Sequence, residues 1–233
     1  MMRLDKLLVE LGVGTRSEVK ALLKKGLILV DGNKATRPEE KVDEEKVVIT
    51  YQGKEYAYKK YSYYVMNKPK GVITATEDAK EKTVMDIFYE KCKDAPRGLS
   101  PVGRLDKDTT GLLLITNDGK LAHDMLSPKK HVDKKYFVTL DGALAETDIK
   151  QLETGVHIGE GDLTAPAKVE YEGGNTCYIT IHEGKFHQVK RMFFAVGREV
   201  LELKRTEFGS LILDEEKIPP GYFSELKRES IDS

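Results

Sequence analysis

The chain carries 38 lysines and arginines against 39 aspartates and glutamates over 233 residues, a formal net charge of −1. This excludes a uniformly basic coat and leaves local clusters to decide contact with phosphate. The length suits one small and one larger domain, the composition of 39% hydrophobic and 33% charged residues is that of a soluble globular protein, and no apolar run approaches the about 20 residues needed to cross a bilayer.

The amino terminus, Met1-Met2-Arg3-Leu4-Asp5, has no apolar signal core, so a cytoplasmic address is expected. Leu4, Leu7, Leu8 and Leu11 recur at helical spacing and stop at Gly12. A second helix follows, with Thr15 as N-cap, Glu18 closing a capping box and Gly26 as the stop. Val19, Leu22 and Leu23 point inward on it, while Arg16, Lys20 and Lys24, four residues apart, line an outward stripe. Residues 27–30 read as a strand, Asp31-Gly32 as a tight turn and residues 47–49 as a further strand. Residues 51–62 interleave Tyr51, Tyr56, Tyr58 and Tyr61 with Lys54, Lys59 and Lys60, and read as a linker whose tyrosines pack at the domain junction; a base-stacking platform is the second reading.

From residue 63 the pattern is rich in strands, expected at 64–67, 72–75, 112–115, 136–140, 176–181 and 199–203. Helices are expected at 83–90, 120–126, 147–153 and 188–195, without regular alternation, which favours an α+β domain around a largely antiparallel sheet. Cys92 and Cys177 lie too far apart in sequence to suggest a disulfide framework or a zinc ribbon. The segment Gly103-Arg104-Leu105-Asp106-Lys107-Asp108-Thr109-Thr110-Gly111 runs into the apolar stretch 112–115 and the turn Asn117-Asp118-Gly119. Asp106 thus sits in a glycine-bounded loop ahead of a fully buried strand, where a catalytic carboxylate is expected, although ordinary Asx-turn chemistry accounts for the same pattern. Basic residues gather in three places: Arg16, Lys20, Lys24 and Lys25; Lys129, Lys130, His131, Lys134 and Lys135; and Lys185, His187, Lys190 and Arg191. Any one reads as a solvated face, and the three together point to a polyanionic partner.

Arg3-Leu4-Asp5-Lys6-Leu7-Leu8, then Thr15-Arg16-Ser17-Glu18, then Lys25-Gly26-Leu27-Ile28-Leu29-Val30-Asp31-Gly32 resemble an S4 RNA-binding domain. The resemblance implies that Arg3, Lys6, Arg16, Ser17, Lys20, Lys24 and Lys25 contact RNA. Five further segments follow in order: Asn67-Lys68-Pro69-Lys70-Gly71; Val102-Gly103-Arg104-Leu105-Asp106; Lys134-Lys135-Tyr136-Phe137-Val138; Glu183-Gly184-Lys185-Phe186-His187-Gln188-Val189-Lys190-Arg191-Met192; and Leu203-Lys204-Arg205 with Phe208-Gly209. Together they resemble the RsuA group of pseudouridine synthases. The expected division is 1–61 for the S4-type domain and linker and 62–233 for the catalytic domain.

Isomerising uridine breaks the N1–C1′ bond, rotates the trapped uracil and joins C5 to C1′, with no redox change and no outside group, so neither cofactor nor metal is expected. The resemblance implies that Asp106 acts at C1′, as nucleophile or in loss of a sugar proton. It further implies that Lys190 is the cation that keeps Asp106 ionised, and that Tyr136 stacks on uracil and serves the proton transfer at C5. Arg104 is expected to enter the RNA stack, Leu203 to pack on uracil, and His187 with Gln188 to contact the substrate. His187-Gln188-Val189-Lys190-Arg191-Met192-Phe193 and Asp162-Leu163-Thr164-x-Pro166-Ala167 resemble the small-subunit branch, which implies 16S rRNA, at position 516, modified during ribosome assembly. With no heptad seam and no surplus apolar face in the sequence, a monomer is expected. The alternatives are a large-subunit (23S) enzyme of the same family, a non-catalytic S4-type assembly factor, and a glycosidase using Asp106 and Asp108.

Overall fold

A computed structural model of the chain describes residues 1–231 except 94, 97 and 160. Backbone packing divides it into two compact units, Met1–Ser62 with Cys92–Leu99, and Tyr63–Lys91 with Ser100–Ser233.

The first unit runs β1 (Met2–Arg3), α1 (Leu4–Glu10), α2 (Arg16–Lys24), β2 (Ile28–Val30), β3 (Asn33–Ala35), β4 (Lys41–Val42), β5 (Ile49–Tyr51) and β6 (Lys54–Tyr56). Strands β3-β2-β5-β6 form one antiparallel sheet and β1 pairs with β4. Leu4, Leu7 and Leu8 of α1 and Val19 and Leu23 of α2 are fully buried against Ile28 and Ile49. The capping box forms as its residue types dictate: Thr15 N donates to Glu18 Oε2 at 2.7 Å, and Glu18 N donates to Thr15 Oγ1 at 3.4 Å. Asp31 (φ 49°) and Gly32 (φ 78°) both occupy the left-handed region that a two-residue hairpin between β2 and β3 demands.

The strand expected at 47–49 lies instead at Ile49–Tyr51: Val47 is buried just after the turn 44–46, and Val48 exchanges its hydrogen bonds with Asp31. Nor is the stretch 51–62 simply a linker: Gln52 (φ 51°) and Gly53 (φ 76°) turn the chain back so that β6 pairs with β5. Tyr51, Tyr56 and Tyr58 pack on this unit's own core. The Tyr58 hydroxyl donates to Glu10 Oε2 at 3.0 Å, and burial with this acidic neighbour pushes its pKa up to about 12.

The second unit runs β7 (Tyr63–Lys68), α3 (Val84–Lys91), β8 (Ser100–Pro101), β9 (Thr110–Thr116), α4 (Gly119–Leu126), β10 (Lys134–Leu140), α5 (Glu146–Thr154), β11 (Lys168–Glu170), β12 (Thr176–Ile181), α6 (Gln188–Ala195), β13 (Val200–Phe208), β14 (Leu211–Ile212) and β15 (Phe223–Leu226). The sheet order is β11-β12-β10-β13-β9-β7-β15, with β14 on β13 and β8 on β9. Every pairing is antiparallel except β13 with β9, which meet in parallel only at Lys204 opposite Thr110 and Arg205 opposite Gly111. The continuous apolar run of β9 leaves Leu112, Leu113, Leu114 and Ile115 fully buried, as a strand covered on both faces requires. On one face Leu112 and Leu114 join Tyr63, Val65, Leu121 and Met125 in a single core. Elsewhere Tyr64, Phe88 and Phe223 pack ring on ring, with centroids 4.4–6.0 Å apart.

Residues 72–75 are not the strand expected of them. Ile73 makes a single bridge with Thr83, and the Thr74 side chain is spent on the backbone of Leu105. β14 is only two residues long, and β11 and β15 are polar at half or more of their positions, so none of the three declares itself in the sequence.

Gly111 allows the β9–β13 junction. Its φ of 99° belongs to glycine, and a Cβ there would overlap the backbone carbonyl oxygen of Arg205. Gly111→Ala is therefore expected to destabilise the second unit by about 3 kcal/mol, read as a large drop in thermal midpoint and in soluble yield. An unchanged midpoint would show that the strands separate at no cost.

Candidate active site

Three backbone devices fix the loop before β9. The Thr74 hydroxyl donates to the Leu105 carbonyl at 2.7 Å and accepts from Leu105 N at 3.1 Å. Gly71 N donates to the Lys107 carbonyl at 2.8 Å, and Thr109 N to the Asp106 carbonyl at 3.1 Å. Lys68, the fully buried end of β7, extends its ammonium to the carbonyls of Thr109 (2.8 Å), Pro69 (3.2 Å) and Lys107 (3.3 Å). Burial pushes its pKa down to about 8, against the pull of the Asp108 and Asp106 carboxylates.

A second loop, 183–187, faces the first from the start of α6. Gln188 Oε1 accepts from Lys185 N and its Nε2 donates to Glu183 Oε2, both at 2.9 Å. Lys185 Nζ reaches Asp162 Oδ1 at 2.7 Å and the Leu163 carbonyl at 2.6 Å. Arg191 donates to the carbonyls of Phe186 and Ile158 and lies 3.5 Å from Asp162. The hydrogen bond from Lys185 is the main force holding the Asp162 carboxyl below the usual range.

Between the loops, Lys190 Nζ stands 3.2 Å from Asp106 Oδ2 and 2.6 Å from Asp108 Oδ1, and His187 Nε2 lies 3.5 Å from Asp106 Oδ1. Burial opposes charge on Lys190, but the hydrogen bonds to Asp108 and Asp106 outweigh it and hold the ammonium above its ordinary pKa. Burial likewise works against the Asp108 carboxylate, and the Lys190 hydrogen bond and charge overcome it and hold that pKa down. The resulting pocket is lined by Arg104, Asp106, Tyr136, His187, Gln188 and Leu203 among others. Tyr136 and Leu203 are buried at its wall, on β10 and β13, and Arg104 is exposed at its rim. Opposite Tyr136 in strand register, Arg205 is 2% exposed, with Nε donating to the Leu112 carbonyl at 2.8 Å and its guanidinium over the Phe208 ring at 4.6 Å. Burial lowers its pKa, and Tyr136 pulls the other way.

The fold thus gathers Arg104, Asp106, Tyr136, His187, Gln188, Lys190 and Leu203 in one pocket wall and its surroundings. The Gln188 amide is committed to bracing its loop. Asp108, expected only under the glycosidase reading, is the closer partner of Lys190. Of the basic clusters, Arg16, Ser17, Lys20, Lys24 and Lys25 are exposed on α2 and its end, and none of the four cations among them forms an ion pair among the described residues. Arg3 is exposed but held by Asp5 at 2.9 Å, and Lys6 stands 3.6 Å from Glu10. The other two clusters are largely committed within the fold: Lys134 is buried, Lys135 pairs with Glu170 and Glu207, and Lys185, Lys190 and Arg191 pair with Asp162, Asp106 and Asp108, while Lys129, Lys130 and His131 stay exposed.

A carboxylate, a tyrosine and an apolar side chain thus share one recess, in a chain whose first unit exposes a row of basic residues on one helix. Residues 62–195 match the family described as RNA pseudouridylate synthase, and residues 2–48 match the S4 domain. The chain belongs to the pseudouridine synthases, in the RsuA group that carries an N-terminal S4 domain. It is 48% identical to the uncharacterized RNA pseudouridine synthase YtzG of Bacillus subtilis, over 99% of this chain and 97% of that protein. It is 40% identical to the ribosomal small subunit pseudouridine synthase A of Vibrio vulnificus, covering 100% and 99%. It is 37% identical to the ribosomal large subunit pseudouridine synthase B of Bacillus subtilis, covering 91% and 88%. A crystal structure of a pseudouridylate synthase matches 98% of this chain and 97% of its own, at 30% identity and a TM-score of 0.67.

Lys68→Met leaves the carbonyls of Lys107 and Thr109 short of a donor, and is expected to cost about 2 kcal/mol of stability in the second unit. Between pH 8 and about 10.5 the unfolded lysine still binds the proton that the folded one has released, so this group's unfavourable contribution at lower pH is relieved and the wild type gains stability as pH rises through that window. The gap in thermal midpoint between wild type and Lys68→Met should therefore widen from pH 8 to pH 10; a constant gap would contradict the depressed pKa.

Proposed function

We propose that this pseudouridine synthase acts on a uridine of small-subunit (16S) ribosomal RNA, at position 516, on an assembling particle in the cytoplasm and as a monomer. The observation that carries the chemistry is the Asp106 carboxylate, 3.2 Å from Lys190 and beside Tyr136 and Leu203 in one pocket. In this reading Lys190 keeps Asp106 ionised, so that it attacks C1′ or assists loss of a sugar proton as the N1–C1′ bond breaks. Tyr136 holds the freed uracil by stacking and places its hydroxyl near C5, for the net transfer of the C5 proton to N1 that completes the isomerisation once C5 has bonded to C1′. Leu203 packs against the ring, Arg104 fills the gap left by the extruded base, and His187 contacts the RNA. The division of the chain into 1–61 and 62–233 assigns RNA capture to the first part, through Arg16, Ser17, Lys20, Lys24 and Lys25 with Arg3 and Lys6 beside them, and isomerisation to the second.

The small-subunit assignment is supported by the segments 187–193 and 162–167. They meet where Lys185 and Arg191 grip Asp162, so the shape of the 183–187 loop depends on both. Full-length similarity to a small-subunit enzyme supports it further.

The test is to map pseudouridine in both large ribosomal RNAs from cells lacking the protein and from cells restored with wild type or Asp106→Asn. Loss of one 16S site, rescued by wild type and not by Asp106→Asn, is the expected outcome; a missing 23S site would move the substrate to the large subunit, and no missing site would leave a binding factor. In vitro, Asp106→Asn should lower turnover by about 10⁴-fold or more. Lys190→Met, which removes the cation 3.2 Å from Asp106 and 2.6 Å from Asp108, should lower turnover by about 10²-fold or more in the same assay.

A further inference from the structure

We propose that Phe186 is a stacking platform for a nucleobase that flanks the target uridine, an inference that rests on the RNA-modifying reading above. Its ring is 75% exposed, whereas Phe88, Phe193 and Phe208 are fully buried. One face is already covered: the His187 ring lies flat against it, with centroids 3.8 Å apart and planes 18° from parallel. The same imidazole is 3.5 Å from Asp106, so the aromatic pair borders the carboxylate directly.

The pair is held out by construction. The Phe186 carbonyl accepts from Arg191 Nη1 at 3.1 Å, Lys185 N donates to the Gln188 side chain, and Gln188 N donates to the Lys185 carbonyl at 3.1 Å. Lys185 is pinned to Asp162 and Leu163, and His187 sits in the left-handed region at φ 47°. A loop fixed this firmly does not let the phenyl ring fold away from water, and no ring covers its outer face among the described residues.

A base is the occupant that suits a flat, uncharged, rigid surface beside this carboxylate. Extruding a uridine deprives its neighbours of a stacking partner, and an aromatic face restores one without reading base identity. Arg104, exposed on the pocket rim, fills the vacancy within the stack while Phe186 receives the displaced neighbour. The platform therefore governs how well the RNA is held in its opened form, rather than the bond-making steps.

The chain contains no tryptophan, so Phe186→Trp creates a single reporter at the site. In an Asp106→Asn background its emission should be quenched on titration with 16S rRNA, while Ile212→Trp, at a position 72% exposed on β14, should not respond. In steady-state assays of otherwise wild-type enzyme, Phe186→Ala and Phe186→Leu should raise KM about ten-fold with kcat changed far less. Phe186→Tyr and Phe186→Trp should stay close to wild type. A Phe186→Leu enzyme with wild-type KM, or an introduced indole whose emission is indifferent to RNA that binds, overturns the platform alone. Wild-type protein that forms no pseudouridine in either rRNA overturns the functional reading and the platform with it.

Discussion

Two carboxylates of one loop, Asp106 and Asp108, turn toward the same small region, and the ammonium of Lys190 stands between them. Two like charges brought this close to one another repel, which would tend to drive the loop open. One cation offsets both. Lys190 is carried on the first turn of α6, so the ion pairs also join the loop before β9 to the helix after the 183–187 loop. The Asp106 carboxylate is held in place for the same reason.

Around that contact the chain uses backbone acceptors to hold its loops, which is more durable than surface ion pairing. Lys68 and Thr74 fix the first loop through its carbonyl and amide groups, and Gln188 and Arg191 fix the second. The sheet beneath sets Tyr136 and Leu203 on adjacent strands, and the close approach of β9 to β13 at Gly111 brings the loop to that wall. The geometry of the pocket is a property of strand register.

Elements whose apolar residues follow one period were legible in the sequence. The strand Thr176–Ile181 and the helix Gln188–Ala195 stand where their patterns put them, and Thr15 with Glu18 marked the start of α2. β6 was not legible, because Lys54 and Glu55 at a sheet edge look like any polar connection. The stretch 72–75 misled in the opposite sense: its apolar and β-branched residues suit a strand, but Thr74 gives its hydroxyl to Leu105. Motif order led to Asp106, Tyr136, Lys190 and Leu203. The depth at which Lys68, Lys134 and Arg205 lie was invisible, since a lysine beside a strand reads as solvated until the fold closes over it. Asp108 as the nearer partner of Lys190 was equally hidden, because that contact joins residues 82 positions apart.

The internal pairing of the second and third basic clusters also sets how the protein answers to ionic strength. A cation already neutralised by an aspartate or glutamate displaces few counterions when RNA arrives, so Lys135, Lys185 and Arg191 add little to the salt dependence of binding. The open charges on α2, Arg16, Lys20 and Lys24 with Lys25 at its end, remain to do so, as do the exposed Lys129 and Lys130. Phosphate contacts by the four on α2, at a slope of about −0.7 to −0.9 each, would by themselves contribute about −3 in log K against log salt.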